Sequence, residues 1–264
     1  MSRITTSTLR KMKQAGEKIA CLTAYDASFS QVLEEEGVEI LLVGDSLGMV
    51  MQGHDSTLPV TLDDMVYHTK MVRVANKTAL VMADMPFMTY ATPVQAMASA
   101  GRLMKEGGAH MVKLEGSENM VETVRHLAEQ GIPVCAHLGL LPQSVNKLGG
   151  YKVQGRDEKE AQAILADAVA MESAGADLIL LECVPSVLAA EITAALDVPV
   201  IGIGAGVQCD AQVLVLYDML GITSGKRPRF SKDFLQDAGD IRGAVRSYVQ
   251  AVKESSFPGK EHSF

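Results

Sequence analysis

Eight short apolar runs, rich in Val, Ile, Leu and Ala and free of polar alternation, recur along the whole chain. They span residues 19–26, 40–46, 79–86, 110–116, 133–139, 177–183, 199–206 and 212–220. A strand with one wet face alternates apolar and polar residues. An unbroken apolar run needs cover on both faces, as in a parallel sheet clothed by helices. The intervening segments have the helical period. Met120, Val121, Val124, Leu127 and Ala128 share one face, Ala161, Ile164, Leu165, Ala168 and Met171 a second, and Val94, Met97, Gly101 and Met104 a third. At such spacings methionine reads as core filling rather than a binding surface. Thr61 followed by Asp63 and Asp64, and Thr92 followed by Pro93, mark helix starts.

Weak internal repeats join these units. GVEILLVGDS (37–46), GAHMVKLEG (108–116) and GADLILLEC (175–183) each follow a helical stretch, and IPVCAHLG (132–139) echoes VPVIGIGAG (198–206). With no linker between the units, they predict one closed (β/α)8 TIM barrel over residues 1–264. The length of 264 residues suits one barrel of roughly 250 residues. An N-terminal helix is expected at about 5–16, and a C-terminal helix and tail at about 239–264. Residues 206–220 leave little room for a helix before the last run, so the seventh helix should be short or absent. The amphipathic stretch 240–252 is a candidate subunit contact.

Other features exclude function classes. No apolar run approaches the roughly 18 residues of a membrane helix. The formal charge of −8 argues against a nucleic-acid surface, though a small anionic substrate stays open. The N-terminus is basic before Glu17, weakly like an organellar transit peptide, but it lacks the apolar core of a secretory signal. The reading adopted is a helix leading into the first strand. Cys21, Cys135, Cys183 and Cys209 show no metal-ligand spacing and read as buried free thiols of a reducing, cytoplasmic protein.

Barrel active sites lie at the C-terminal strand ends. Those ends carry Asp26, Asp45, Ser46, Asp84, Lys113, Glu115, His137, Glu182 and the glycines of GIGAG (202–206). Several acids converging on one rim would repel each other and raise each other's pKa values. A divalent cation relieves that repulsion; a structural ring of ion pairs is the bland alternative. Carboxylates without obvious His or Cys partners favour Mg²⁺ over zinc, despite His137. GIGAG lacks the spacing of a dinucleotide site and more simply permits close approach. The segment 139–157, with Lys147, Lys152 and Arg156, reads as a lid or anion-contacting loop, or equally as a subunit contact.

Long blocks of the sequence closely resemble the ketopantoate hydroxymethyltransferase family: LLVGDSLGMVMQGHDSTLPVT (41–61), ADMPFMTYATP (83–93), VKLEG (112–116), PVCAHLGLLPQSVNKLGGYKVQGR (133–156), LLECVP (180–185), PVIGIGAG (199–206) and PGKEHSF (258–264). The resemblance implies transfer of a hydroxymethyl group from 5,10-methylenetetrahydrofolate to 2-oxoisovalerate, giving ketopantoate for pantothenate and coenzyme A synthesis through a metal-stabilised enolate. It implies Mg²⁺, or another divalent ion, on Asp45 and Asp84, with Glu115 joining through water. Keto-acid contacts fall on Asp45, Ser46, Asp84 and Lys113, His137 lies in the pocket, and Glu182 is the proton acceptor. No departure from the family pattern occurs at these positions. A homo-oligomer, commonly a decamer, is also implied. Two alternatives compete with it: a Mg²⁺-dependent lyase of the isocitrate type, whose usual KKCGH-like segment is absent here, and a non-catalytic keto-acid-binding barrel.

Overall fold

The apolar runs become strands, and the segments between them wrap those strands on the outside. The computed structural model describes residues 3–223, 225 and 227–264. Eight parallel strands close in chain order into a barrel. They are β1 (Ile19–Thr23), β2 (Ile40–Val43), β3 (Leu80–Asp84), β4 (Met111–Glu115), β5 (Val134–Gly139), β6 (Leu178–Glu182), β7 (Val200–Ile203) and β8 (Ala211–Leu214). The longer helices are α1 (Thr6–Gln14), α2 (Ala27–Glu35), α3 (Leu62–Ala75), α4 (Pro93–Lys105), α5 (Val121–Glu129), α6 (Glu158–Ser173), α7 (Ser186–Ala195) and α8 (Ile241–Lys253).

The expected helix starts are present. Thr61 accepts from the Asp64 N–H in a capping box, and Thr92 caps α4 with Pro93 in its first turn. Residues 204–210 between β7 and β8 hold no helix, as their shortness predicts. Three expectations need correction. The run 212–220 is not one strand, because β8 stops at Leu214 and Leu216–Met219 is a helical turn. Leu216, Met219 and Leu220 are as buried as the strand, so hydrophobicity does not mark the boundary.

The stripe on α4 is also displaced. Its buried residues are Ala96, Ser99, Ala100 and Leu103, while Val94 is exposed and Met97 and Met104 only flank the core. The face of this helix that is fully buried is thus built from small side chains with Leu103, and the larger residues beside them lie at its margin. Finally, the apolar face of α8 (Ala244, Val245, Tyr248, Val252) is buried against its own barrel, leaving that face unavailable as a subunit contact.

Strand parity splits the core in two. Ala20, Leu22, Leu41, Val43, Val81, Val112, Leu114, Ile179 and Leu181 pack outward under the helices. Ile19, Cys21, Ile40, Leu42, Leu80, Met82, Met111, Cys135, Leu178, Leu180, Ile201 and Val213 fill the interior with Leu9 of α1. Helix α1 closes the N-terminal mouth. Lys13 of α1 donates to the carbonyls of Thr193, at the end of α7, and Val198, just before β7, and pairs at 3.0 Å with Asp210, just before β8. All four cysteines are free and buried, and burial pushes the Cys135 thiol up to about 12. Among the described residues no helix is long and apolar enough to cross a membrane.

The seam at β8 is short, with only two registered pairs joining β7 to β8. Helix α8 reinforces its other side. The buried Tyr248 hydroxyl lies 2.9 Å from the Cys21 carbonyl of β1 and 2.8 Å from the Gln212 carbonyl of β8, sharing its proton between them. Tyr248→Phe should therefore lower stability by about 1–3 kcal/mol through loss of a buried hydrogen bond. Urea unfolding checks this: the midpoint should fall with the slope unchanged, and an unmoved midpoint would mean that packing alone closes the seam.

Candidate active site

The inward parity that builds the lower core continues upward as polar residues. On β3, Leu80 and Met82 are followed by Asp84; on β4, Met111 is followed by Lys113 and Glu115. On β5, Cys135 is followed by His137, and on β6, Leu178 and Leu180 by Glu182. Each step is two residues, so these side chains face the barrel axis at its C-terminal mouth. Asp45 and Ser46 lie just beyond β2, before the helical turn Leu47–Val50. Gly44 permits that approach: a Cβ there would fall 2.7 Å from Ser46 Oγ and 3.6 Å from Asp84 Oδ2. Gly139, at φ +89°, likewise lets β5 pass β6, because a Cβ would meet the Glu182 carbonyl at 2.4 Å.

Contacts run from one expected residue to the next. The Asp45 N–H donates to Asp84 Oδ2 at 3.0 Å, and Lys113 Nζ stands 3.0 Å from Asp84 Oδ1. Lys113 Nζ is 3.3 Å from His137 Nδ1, which is 3.7 Å from Glu115 Oε1. His137 Nε2 is 3.3 Å from Glu182 Oε2, although no hydrogen bond of acceptable geometry joins them. Ser46 Oγ stands 2.9 Å from the Tyr25 hydroxyl. The seven residues expected from the sequence thus gather at one mouth.

Asp26 does not join them. It caps α2, accepting from the Phe29 N–H at 2.9 Å. The glycines of GIGAG serve packing: Gly204 faces the rings of Phe230 and Phe264, and Gly202 faces Cys209. In the 139–157 segment, Lys147, Lys152 and Arg156 are exposed, and the side chain that reaches the acids is Gln143. Its amide donates to Asp45 Oδ2 at 2.8 Å, and its backbone N–H donates to Glu115 Oε2 at 3.0 Å. Tyr90 donates to Gln143 Oε1. Neither Gln143 nor Tyr90 carries a signal in the sequence, since neutral polar residues are ordinary in loops.

Burial sets the electrostatics. It raises Asp45 to about 7, with the Asp84 charge adding to the effect. It raises Glu115 well above the carboxylate range, again with help from Asp45. Glu182 rises to about 7 through burial, opposed by Lys113. Burial alone would lower Lys113, but Asp84, Glu115 and Asp45 outweigh it and hold the ammonium firmly protonated. Burial and the Lys113 charge push His137 well below its ordinary value, so the imidazole is neutral. Facing an ammonium, Nδ1 accepts, which leaves the ring proton on Nε2 toward Glu182.

The donor set fits a hard cation. Among the described residues, no three His, Cys, Asp or Glu side chains form a ready-made cage. Mg²⁺, however, uses one or two carboxylates and keeps water. Asp84 Oδ1 is buried without a well-formed hydrogen bond, and Asp45 beside it is strained by its neighbour's charge. The Lys113 ammonium, 3.0 Å from Asp84 Oδ1, offsets only part of the negative charge gathered here.

A closed (β/α)8 barrel with acids, a lysine and a neutral histidine at its C-terminal mouth belongs to the architecture in which barrel enzymes hold their active sites. Residues 3–260 match the family model described as ketopantoate hydroxymethyltransferase, and the chain belongs to that family. It is 61% identical over 261 residues to the 3-methyl-2-oxobutanoate hydroxymethyltransferase of Marinobacter nauticus, covering 99% of this chain and 98% of that protein. Solved structures share the fold. A putative phosphonomutase from Burkholderia cenocepacia J2315 aligns at TM-score 0.65 and 18% identity over 83% of this chain and 95% of its own. A 2,3-dimethylmalate lyase of the PEP mutase/isocitrate lyase superfamily aligns at TM-score 0.59 and 18% identity over 97% and 90%. At such identity the lyase likeness concerns the fold alone, whereas whole-chain identity places this protein among the hydroxymethyltransferases.

The raised carboxylates carry a stability signature. Asp45 titrates near 7 when folded, against 3.8 ordinarily, so between about pH 4 and 7 the folded state holds a proton that the unfolded state has lost. Stability is full below that window and falls as pH rises through it. Asp45→Asn should accordingly raise the urea midpoint in EDTA at pH 8, and the gain should vanish near pH 4. An equal gain at both pH values would contradict the assignment.

Proposed function

We propose that this chain transfers a hydroxymethyl group from 5,10-methylenetetrahydrofolate to 3-methyl-2-oxobutanoate, giving ketopantoate for pantothenate and coenzyme A synthesis. The observation that carries the reading is the convergence of Asp45, Asp84, Lys113, Glu115, His137 and Glu182 at the mouth of a barrel from this family. A 2-keto acid is anionic and acidic at C3. A site for it needs fixed positive charge, a base of pKa near neutrality and a dry wall.

Glu182 has the qualities of the base. Its side chain keeps 13% exposure, against 3–6% for Asp84, Lys113, Glu115 and His137, so it is the carboxylate that an entering substrate meets. With a pKa near 7 it is largely ionised just above neutrality yet basic enough to accept a carbon-bound proton. His137, neutral, stands with its Nε2 3.3 Å from Glu182 Oε2. The Lys113 ammonium offsets the substrate's charge, while Asp45, Ser46 and Asp84 line the contact surface for the keto acid. A divalent cation on Asp45 and Asp84, with Glu115 behind through water, would supply Lewis-acid stabilisation of charge on the keto oxygen; Mg²⁺ suits the all-oxygen donors, and other divalent ions remain chemically open. C3 loses its proton to Glu182. Water adds to the folate's methylene carbon, its two carbon–nitrogen bonds break, and tetrahydrofolate leaves with the two water protons on its nitrogens. The C3 carbanion bonds to the freed one-carbon unit, which keeps the water oxygen, and the proton held by Glu182 returns to that oxygen as the new hydroxyl.

Four buried free thiols support a reducing, cytoplasmic setting. Exposed apolar side chains on helices, among them Tyr67, Val74 and Val94, support the homo-oligomer, a decamer, that the family resemblance implies.

The deciding assay is exchange of the C3 proton of 3-methyl-2-oxobutanoate for deuterium with Mg²⁺ and no folate. Exchange without folate is the mark of the proposed chemistry, and ligand binding without exchange would instead indicate a non-catalytic barrel. Glu182→Gln should retain Mg²⁺ and keto acid but lose at least about 100-fold in exchange rate. The parent rate should fall about tenfold per pH unit below pH 7, because protonation removes the base. Full exchange in the variant would take Glu182 out of this role. Asp84→Ala should weaken Mg²⁺ binding itself, which calorimetry reads directly; unchanged affinity would sink the assignment.

A further inference from the structure

Each polar atom of the buried Gln143 side chain is engaged, and its partners surround the acid cluster. The amide nitrogen donates to Asp45 Oδ2 at 2.8 Å and to the Met85 carbonyl at 3.0 Å. The amide oxygen accepts from the Tyr90 hydroxyl. The amide cannot turn over at equal energy. The Tyr90 oxygen accepts from the Glu115 N–H at 3.3 Å, and burial raises the phenol above its ordinary range, so Tyr90 keeps its proton and directs it at Gln143. Reversal would set the Gln143 oxygen against a carbonyl and a carboxylate. A fixed chain of hydrogen bonds therefore runs from the backbone of β4 through Tyr90 and Gln143 to Asp45.

The same residue belongs to the segment 139–157. It sits in the turn Pro142–Ser144, ahead of the helical turn Val145–Leu148, and its backbone N–H holds Glu115 Oε2 at 3.0 Å. Two of the acids are thus gripped by one loop residue, through its side chain and its main chain.

We propose that Gln143 is a positioning residue that aims the Asp45 carboxylate and ties divalent-ion affinity to the seating of the 139–157 segment. This rests on the metal reading of Asp45, Asp84 and Glu115 given above. Asp45 Oδ2 accepts from the amide, with the Thr57 hydroxyl also acting on this carboxylate, and the amide bond fixes how the carboxylate would be turned toward the cation. Loss of a partner that orients a metal ligand typically weakens binding about 10- to 100-fold. Coupling is reciprocal: if a seated segment improves ion binding, the ion must favour the seated segment equally.

Mg²⁺ affinity by calorimetry without substrate, and the rate of trypsin cleavage after Lys147 and Lys152 with and without Mg²⁺, test both halves. In the parent protein Mg²⁺ should bind and slow cleavage. In Gln143→Leu, affinity should drop about 10- to 100-fold, and Mg²⁺ at a concentration saturating that variant should no longer slow cleavage. Tyr90→Phe removes one hydroxyl and should weaken binding in the same direction; it decides the matter if Gln143→Leu fails to fold. Adding Tyr90→Phe to a folded Gln143→Leu should cost less than Tyr90→Phe alone, because Tyr90 acts in large part through the amide. A Gln143→Leu protein that binds Mg²⁺ as tightly as the parent, or stays protected by it, overturns the inference while leaving the metal reading intact. A parent that binds no Mg²⁺ overturns the metal reading, and this inference with it.

Discussion

The ammonium of Lys113 stands 3.0 Å from Asp84 and within reach of His137, in a space from which the barrel excludes most water. Buried charge is tolerated only where it is matched, and here the match is incomplete. Asp45, Asp84, Glu115 and Glu182 crowd around one ammonium. Burial answers with protons: Asp45 and Glu182 move up to about 7, Glu115 is raised as well, and His137 is pushed to its neutral form. The protonation pattern of the mouth thus follows from burial, before any ligand is considered.

The barrel supports this imbalance because its lower half is inert. Leu9, Ile19, Ile40, Met82, Leu178 and their neighbours fill the interior beneath the polar layer, and α1 closes the bottom. Full burial of such side chains is worth roughly 1.5–3 kcal/mol each, enough in sum to carry an unfavourable layer of charge above them. The arrangement also separates roles by depth. The deepest carboxylates contact main-chain or amide donors and the lysine, while Glu182 keeps a share of solvent.

Much of this was legible in the sequence because a charge inside an apolar run is expensive and so conspicuous. Asp84, Lys113, His137 and Glu182 each interrupt or end a run, and the repetition of such runs indicated the barrel; the family resemblance then divided their labour. Three features were hidden. Asp26 shares the strand-end position of the others, yet its use as a helix cap depends on the turn that follows. The small residues of α4 are buried more fully than its methionines, a preference that no periodicity reports. Gln143 and Tyr90 are neutral, lie in loops and meet the acids only through contacts 25 to 98 residues apart in sequence. Local pattern reveals which positions face inward, but not which loop folds back over them.

Strand parity has an evolutionary edge. On β4 a step of two separates Met111, a core residue, from Lys113, and another step separates Lys113 from Glu115. Inserting one residue near the start of that strand would turn the ammonium and the carboxylate outward among the helices while drawing Val112 and Leu114 into the mouth. The same frame governs β3, β5 and β6. Folding and chemistry are written in one reading frame on these strands, so a shift in register erases both together. A length change is therefore far less disruptive in the loops, where the frame resets, than within these strands.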